Sequence, residues 1–189
     1  MRKLQYNSPV ILSFFLVSLL ALALGYLTNG WTTLHLFSVY RAPLDDPFTY
    51  ARFLGHVLGH ADIDHFLGNM LLLLVVGPPL EEKYGSIMLL TGIGLTALAS
   101  GLLQFICFPG VMLLGASGIV FMLIMLASLS GMKTGQIPLT LILVALLYLS
   151  REAYSILFVR DEVANFMHII GGVCGTGFGF LVAKKRSGF

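Results

Sequence analysis

Apolar residues along this chain are grouped into long runs that short polar stretches separate. A helix that crosses a bilayer needs about 20 mainly apolar residues. Six runs approach that length, and the expected helices cover about 9–27, 66–80, 87–108, 114–131, 137–157 and 164–183. The pattern predicts an all-α polytopic membrane protein, one membrane domain over residues 1–189 built as a bundle of six transmembrane helices.

The stretch between the first two runs, about 31–64, is mixed in character. It contains Pro43, Pro47, several aromatic residues and most of the histidines. We interpret it as a structured loop that lies partly in the membrane interface. The first run is longer than a usual signal-peptide core, so we expect it to be a membrane helix.

Composition supports a membrane location and argues against several other classes. Apolar residues make up 57% of the chain and charged residues 11%, far from the average of soluble proteins. The formal net charge is only +2, and no basic stripe exists outside the two ends, so nucleic acid is not an expected partner. Cys107 and Cys174 form no zinc-type spacing, and we expect both to be buried small apolar residues.

The distribution of Lys and Arg predicts the orientation, because cytoplasmic loops carry the excess of positive charge. With the N-terminus inside and six spans, seven of the 11 basic residues are cytoplasmic. These are Arg2, Lys3, Lys83, Lys133, Lys184, Lys185 and Arg186, whereas Arg41, Arg52, Arg151 and Arg160 are external. Both termini are therefore expected in the cytoplasm.

This topology brings three distant polar residues to one depth. The second, fourth and sixth spans all begin on the external side, and they begin near His65, Ser117 and His168 respectively. Polar groups at that depth are costly unless they are paired or hydrated, so they are candidates for function. Ser117 is the expected nucleophile and His168 its general base. No acidic residue lies within an apolar span, which favours a dyad over a triad.

Hydrogen-bond donors are expected beside the serine. Asn69 follows His65 by four residues and lies on the same helical face. Both side chains, with the backbone amide of Ser117 at a helix N-terminus, are candidates to stabilise an oxyanion.

Glycines explain how the fourth and sixth spans approach each other. A ridge of small residues at intervals of four lets two helix backbones pack closely. This ridge follows His168 at Gly171, Gly175 and Gly179, while Gly115 and Gly118 leave room beside Ser117 and Phe121 is expected to pack on the His168 ring.

These residues resemble the rhomboid family of intramembrane serine proteases. Four blocks occur in the family's order: HFLGN at 65–69, EEKYG at 81–85, GASG at 115–118 and HIIG at 168–171, followed by Gly175. The resemblance implies a minimal six-span bacterial protein of the inner (cell) membrane whose active site faces the external side. It implies Ser117 and His168 as the catalytic dyad, His65, Asn69 and the Ser117 amide as the oxyanion site, and transmembrane proteins as substrates. Phe121 stands where a tyrosine is frequent.

The same resemblance implies a membrane-associated loop in which Arg52 is the family's arginine, and it makes membrane lipid a partner. The spacing of His56 and His60, with His65 after them, is also compatible with a metal site. No carboxylate or cysteine completes such a site convincingly, so we expect a hydrated loop cluster, with neither a metal nor another cofactor.

Two other functions remain open at this point. A non-catalytic rhomboid-like protein would bind transmembrane helices without cutting them, which an intact dyad argues against. A proton-relay transporter would also use membrane histidines, but it predicts acidic residues or broken helices at the midplane. The sequence leaves the natural substrate and the oligomeric state open.

Overall fold

The computed structural model describes residues 6–130, 136, 139–140, 142–143, 146–147 and 170–177. No β-strand occurs among these residues, which confirms the all-α prediction. Most of the predicted fifth and sixth spans lies outside the described residues. The helices are α1 (Pro9–Leu27), α2 (Trp31–His35), α3 (Pro47–Gly55), α4 (Ile63–Tyr84), α5 (Ser86–Cys107) and α6 (Ser117–Leu129), with a 3₁₀ turn at His56–Leu58 between α3 and α4.

Three of these helices, α1, α4 and α5, are long and apolar enough to cross a membrane, and α6 is a shorter apolar helix. Helix α4 packs against both α1 and α6, so it occupies the centre of the described bundle. Cys107 is exposed at the end of α5. The expectation that it is buried was wrong, because it lies on the outward surface of the last turn, where its neighbour Ile106 is also exposed.

Helix α1 receives its N-terminal cap from a distant residue. Pro9 occupies the first turn, and Ser8 at the N-cap makes no side-chain capping bond. Instead, the buried carboxylate of Glu81 accepts hydrogen bonds from the amides of Val10 (2.9 Å) and Ile11 (3.0 Å). A carboxylate at this end also interacts favourably with the helix dipole. Glu81 therefore joins the start of α1 to the last turn of α4.

Helix α4 is longer than the predicted 66–80 segment at both ends. It begins at Ile63 because Asp62 caps it, accepting from the His65 amide at 2.8 Å. The helix continues through Pro78 and Pro79 to Tyr84. Each proline removes one i→i−4 hydrogen bond from the helix interior, while the contacts of Glu81 with α1 anchor the turn that follows.

Helix α6 begins later than the predicted residue 114, at Ser117. Leu113 is held in extended conformation by an antiparallel bridge to Val39, with N–O distances of 2.8 and 2.9 Å. Gly115 has a φ of +125°, which no helix contains. The loop between α5 and α6 is thus tied to the loop that follows α2.

Helix α3 packs against α5, and its charged residue, Arg52, is buried. A Cβ added to Gly101 of α5 would lie 3.0 Å from the Cα of Phe53, so the two backbones are in close contact. Arg52 is buried, whereas Phe48, Tyr50 and Leu54 are exposed. The outward face of α3 is therefore apolar, the reverse of a helix that faces water.

Candidate active site

Ser117 is the first residue of α6 and is half-buried. The turn before it is fixed by backbone contacts: Gly115 donates its amide to the His56 carbonyl at 2.9 Å. Helix α6 has no side-chain cap, and the first amides of a helix have no intrahelical acceptor. Ser117 therefore presents its hydroxyl beside amides that are available to a ligand.

His65 and Asn69 lie one turn apart on α4 and reach the same glycine. A Cβ added to Gly115 would lie 2.8 Å from both Cε1 and Nε2 of His65 and 3.9 Å from Nδ2 of Asn69. The structure thus brings these two side chains beside the loop that leads into Ser117. Only a glycine leaves space for the His65 ring at this point.

Asn69 has an unpaired donor in this cluster. The side chain is 7% exposed, and its Nδ2 has no hydrogen-bond partner among the described residues. A buried amide donor left without an acceptor costs about 1–3 kcal/mol. Such a group is suited to a ligand oxygen that is bound only during a reaction.

The helical segment 170–177 packs against the beginning of α6. A Cβ on Gly171 would lie 3.0 Å from the Cα of Gly118, and a Cβ on Gly175 would lie 2.8 Å from the Cα of Met122. The ring of Phe121 is equally close to Gly172, with Cδ1 2.9 Å from an added Cβ. Gly171 and Gly175 of the predicted glycine ridge therefore contact the first turns of α6, and Gly179 lies outside the described residues. His168, the expected base, lies outside the described residues, three positions before Gly171.

Both ring nitrogens of His56 are engaged within the protein. Its Nδ1 lies 3.2 Å from the Arg52 carbonyl and its Nε2 lies 3.1 Å from Ser100 Oγ. Burial lowers the pKa of His56 to about 4, because the charged ring would lose its hydration. Ser100 also donates to its own helix, at the carbonyls of Thr96 and Ala97. The additional contact with His56 had no signal in the sequence.

His60 also bonds the backbone, with Nδ1 3.2 Å from the Leu58 carbonyl. Its pKa falls to about 4, first through burial and then through repulsion by His65. In the described part of the chain, no three His, Cys, Asp or Glu side chains are grouped closely enough to hold a metal ion.

Arg52 holds together the segment that runs from the end of α2 into α3. It donates to Asp46 Oδ2 at 2.9 Å and to Thr49 Oγ1 at 2.8 Å, and its guanidinium lies 4.6 Å from the centre of the Tyr40 ring. The hydrogen bond from Arg52 lowers the pKa of Asp46 below its usual value. Asp46 in turn caps α3 at the Phe48 amide. Composition alone suggests that Arg52 is a surface charge. In the structure it is buried at the centre of the loop.

Comparison with known proteins identifies relatives whose names contain the word rhomboid. Rhomboid-related protein 1 of Caenorhabditis elegans is 34% identical over 144 residues, covering 69% of this chain and 39% of the relative. Rhomboid protease GlpG of Serratia proteamaculans is 29% identical, covering 72% of this chain and 49% of the relative. Rhomboid-related protein 2 of Mus musculus is 28% identical, with 74% and 53% covered. The chain thus spans about half the length of these curated relatives or less.

The model of the Rhomboid domain matches residues 47–185, which include the α4 residues, the α6 N-terminus and the glycine ridge. This match covers most of the chain and agrees with the all-α membrane architecture. The chain therefore belongs to the rhomboid family.

Proposed function

We propose that this protein is an intramembrane serine endopeptidase that cleaves transmembrane segments of substrate proteins near the external membrane face. The observation that carries the proposal is the placement of His65 and the unpaired Asn69 amide beside the loop that leads into Ser117. The developing oxyanion needs donors aimed at it, and these residues lie beside the loop before α6, whose N-terminus supplies backbone amides.

In the proposed mechanism, Ser117 Oγ attacks the substrate carbonyl carbon while His168 takes the hydroxyl proton. The oxyanion accepts hydrogen bonds from His65, Asn69 and the Ser117 amide. His168 returns the proton to the leaving amine as the C–N bond breaks, which leaves an ester on Ser117. A water that His168 deprotonates hydrolyses the ester and restores the serine. These steps use no metal and no cofactor.

The packing of the glycine ridge supports the role of His168. Gly171 lies against Gly118, the residue directly after Ser117. A helix that includes His168 three residues earlier would place this ring within about one turn of that contact. The close approach of the two backbones is what a two-residue site drawn from separate helices requires.

Fluorophosphonate labelling tests the nucleophile. Purified wild type, Ser117→Ala, His168→Ala and Ser128→Ala are labelled and then assayed on a model transmembrane substrate. Ser128 is the matched control, because it lies on the same helix with its hydroxyl 2.9 Å from the Ile124 carbonyl. We expect wild type and Ser128→Ala to react and cleave, and the other two to do neither. Labelling of Ser117→Ala at the wild-type rate would remove Ser117 as the nucleophile.

The same assay decides between cleavage and binding. If wild type neither reacts with the probe nor cleaves, but retains a transmembrane peptide, the result favours a non-catalytic protein that binds transmembrane helices. Two of the three relatives described above are named rhomboid-related proteins and one a rhomboid protease, so activity has to be measured on this chain.

We also propose that the chain lies in a bacterial inner membrane with both termini in the cytoplasm and the loop of residues 31–64 against lipid. The exposed apolar face of α3 supports the lipid contact, and Trp31 packs edge-on against Phe48 at 6.5 Å. Trp31 is the single tryptophan of the chain, so its fluorescence reports on this loop alone. Bromine placed near the lipid headgroups should quench it, and equal emission with and without brominated lipid would place the loop in water.

A further inference from the structure

His60 lies in the loop before α4 and has no part in the proposed chemistry. Its side chain is only 2% exposed. Its ring meets two rings of α4 nearly edge-on: the centroids of His65 and Phe66 lie 5.1 Å and 5.3 Å away, at interplanar angles of 69° and 85°. Edge-to-face pairs at this distance are attractive and directional.

The hydrogen bond to Leu58 fixes the protonation of this ring. A carbonyl oxygen only accepts, so Nδ1 of His60 carries the hydrogen that it shares with Leu58. Since burial lowers the pKa to about 4, the ring is neutral at physiological pH and Nε2 holds a lone pair. His65 and Asp62 are the titratable groups whose charges act on it.

His65 links His60 to the reaction site. The His65 ring lies against Gly115, two residues before Ser117. Among the described residues, no hydrogen bond to the nitrogens of this ring accompanies those contacts, so packing is what holds it there. A ring held by packing alone turns more easily than a hydrogen-bonded ring, and a catalytic donor needs a fixed direction.

We propose that His60 is a positioning residue whose anchored ring sets the orientation of the His65 imidazole toward the oxyanion formed at Ser117. This proposal rests on the proposed protease function. The bond to Leu58 fixes the His60 ring, the edge-on contact fixes His65, and the Gly115 surface limits the remaining freedom. His60 itself does not touch the substrate.

Two substitutions of similar volume separate the ring from the space it fills. His60→Phe retains an aromatic ring against His65 and Phe66, whereas His60→Leu fills the cavity without one. An oxyanion forms only in the transition state, so loss of orientation lowers kcat and leaves KM unchanged. Removal of a whole oxyanion donor costs about 100- to 1000-fold in kcat. We expect about a 10- to 100-fold loss for His60→Leu and recovery of part of it in His60→Phe, which keeps the ring contact with His65 but not the bond to Leu58.

A double-mutant cycle tests whether His60 acts through His65. In a His65→Ala background, His60→Leu should cause little further loss, because the group it orients is absent. The chain has five histidines, so ¹⁵N-labelled histidine side chains can also be followed individually by NMR without any substrate. We expect the His65 ring signals to move in His60→Leu and to return toward wild type in His60→Phe.

Two results would contradict a positioning role for His60. The same fold-loss from His60→Leu with His65 present or absent would overturn the proposal, as would unchanged His65 signals in His60→Leu. If wild type neither reacted with the probe nor cleaved, the protease function would fail, while the NMR comparison continued to test the positioning of His65.

Discussion

Substituting Gly115 by alanine should disturb both the position of the His65 ring and the stability of the fold. Gly115 has a φ of +125°, a region that L-residues rarely adopt, and holding a non-glycine residue there costs about 1–3 kcal/mol. The new methyl group would lie 2.8 Å from two atoms of the His65 ring. That separation is shorter than van der Waals contact, so the ring must move by several tenths of an ångström.

The displacement acts directly on the proposed oxyanion site. The amide of Gly115 is held by the His56 carbonyl at 2.9 Å and Leu113 by Val39, so the loop cannot easily retreat. His65 is the group that has to turn. A misplacement of about 1 Å at a reacting centre can cost about 100-fold in rate. We therefore expect kcat to fall by about 10- to 100-fold, with the free energy of unfolding lowered by about 1–3 kcal/mol.

The control lies in the same loop. Gly110 has open space at its Cβ position, so Gly110→Ala should leave both quantities near the wild-type values. Cleavage of a model transmembrane substrate gives kcat, and unfolding in detergent gives stability for the same preparations. Equal kcat and equal stability for Gly115→Ala and Gly110→Ala would refute the reasoning, because both the strain and the contact would then be absent.

Two further predictions concern groups outside the site. Glu81→Ala removes the acceptor of two α1 amides and should destabilise the fold by about 2–4 kcal/mol, whereas the neighbouring Glu82, which is exposed, should tolerate alanine; equal unfolding free energies in detergent would contradict the capping role. Burial lowers the pKa of His56 to about 4 in the folded chain, against 6.5 for an exposed histidine. Between pH 4 and 6.5, His56 therefore binds a proton in the unfolded chain but not in the folded one. Stability should therefore fall as the pH drops from about 6.5 to 4, by up to about 3 kcal/mol from this residue, and a His56→Asn variant measured over the same range should show a shallower fall.

The polar residues of the candidate site are far apart in the chain and near one another in the predicted topology. His65, Asn69 and the loop before Ser117 are separated by up to 50 residues, yet alternation of spans predicts that they share one side of the membrane. The structure brings the first two against Gly115. Long apolar runs predict the membrane spans reliably, because each span has to be apolar along its whole length.

Contacts between distant loops could not be predicted in the same way. The start of α6 is set by the bridge between Val39 and Leu113 and by the backbone of Gly115, and the sequence around Leu114 remains apolar across that boundary. Glu81 caps amides about 70 positions earlier. Side-chain to backbone bonds of this range have no periodic signature, so hydropathy counts Glu81 simply as a charge at a helix end.

Arg52 shows how a charge count misleads where a loop is folded. It was one of four basic residues assigned to the external side, yet it is buried and paired with Asp46. A paired, desolvated guanidinium contributes less to orientation than a free one in water. Removing it from the count leaves seven against three, so the predicted orientation is unchanged and rests on the remaining residues.

The position of Ser117 is determined mainly by backbone contacts from three directions. The Val39–Leu113 bridge holds the chain before it, the amide of Gly115 is bound to His56, and Gly171 lies against Gly118 after it. None of these contacts depends on the serine hydroxyl, so Ser117→Ala should leave the geometry intact and remove only the chemistry. Substitution of Gly115 or Gly171 should instead disturb the geometry and leave the hydroxyl in place, because a Cβ at either position meets atoms closer than van der Waals contact. Substitution of Ser117 therefore tests the chemistry of the site, and substitution of the glycines tests its geometry.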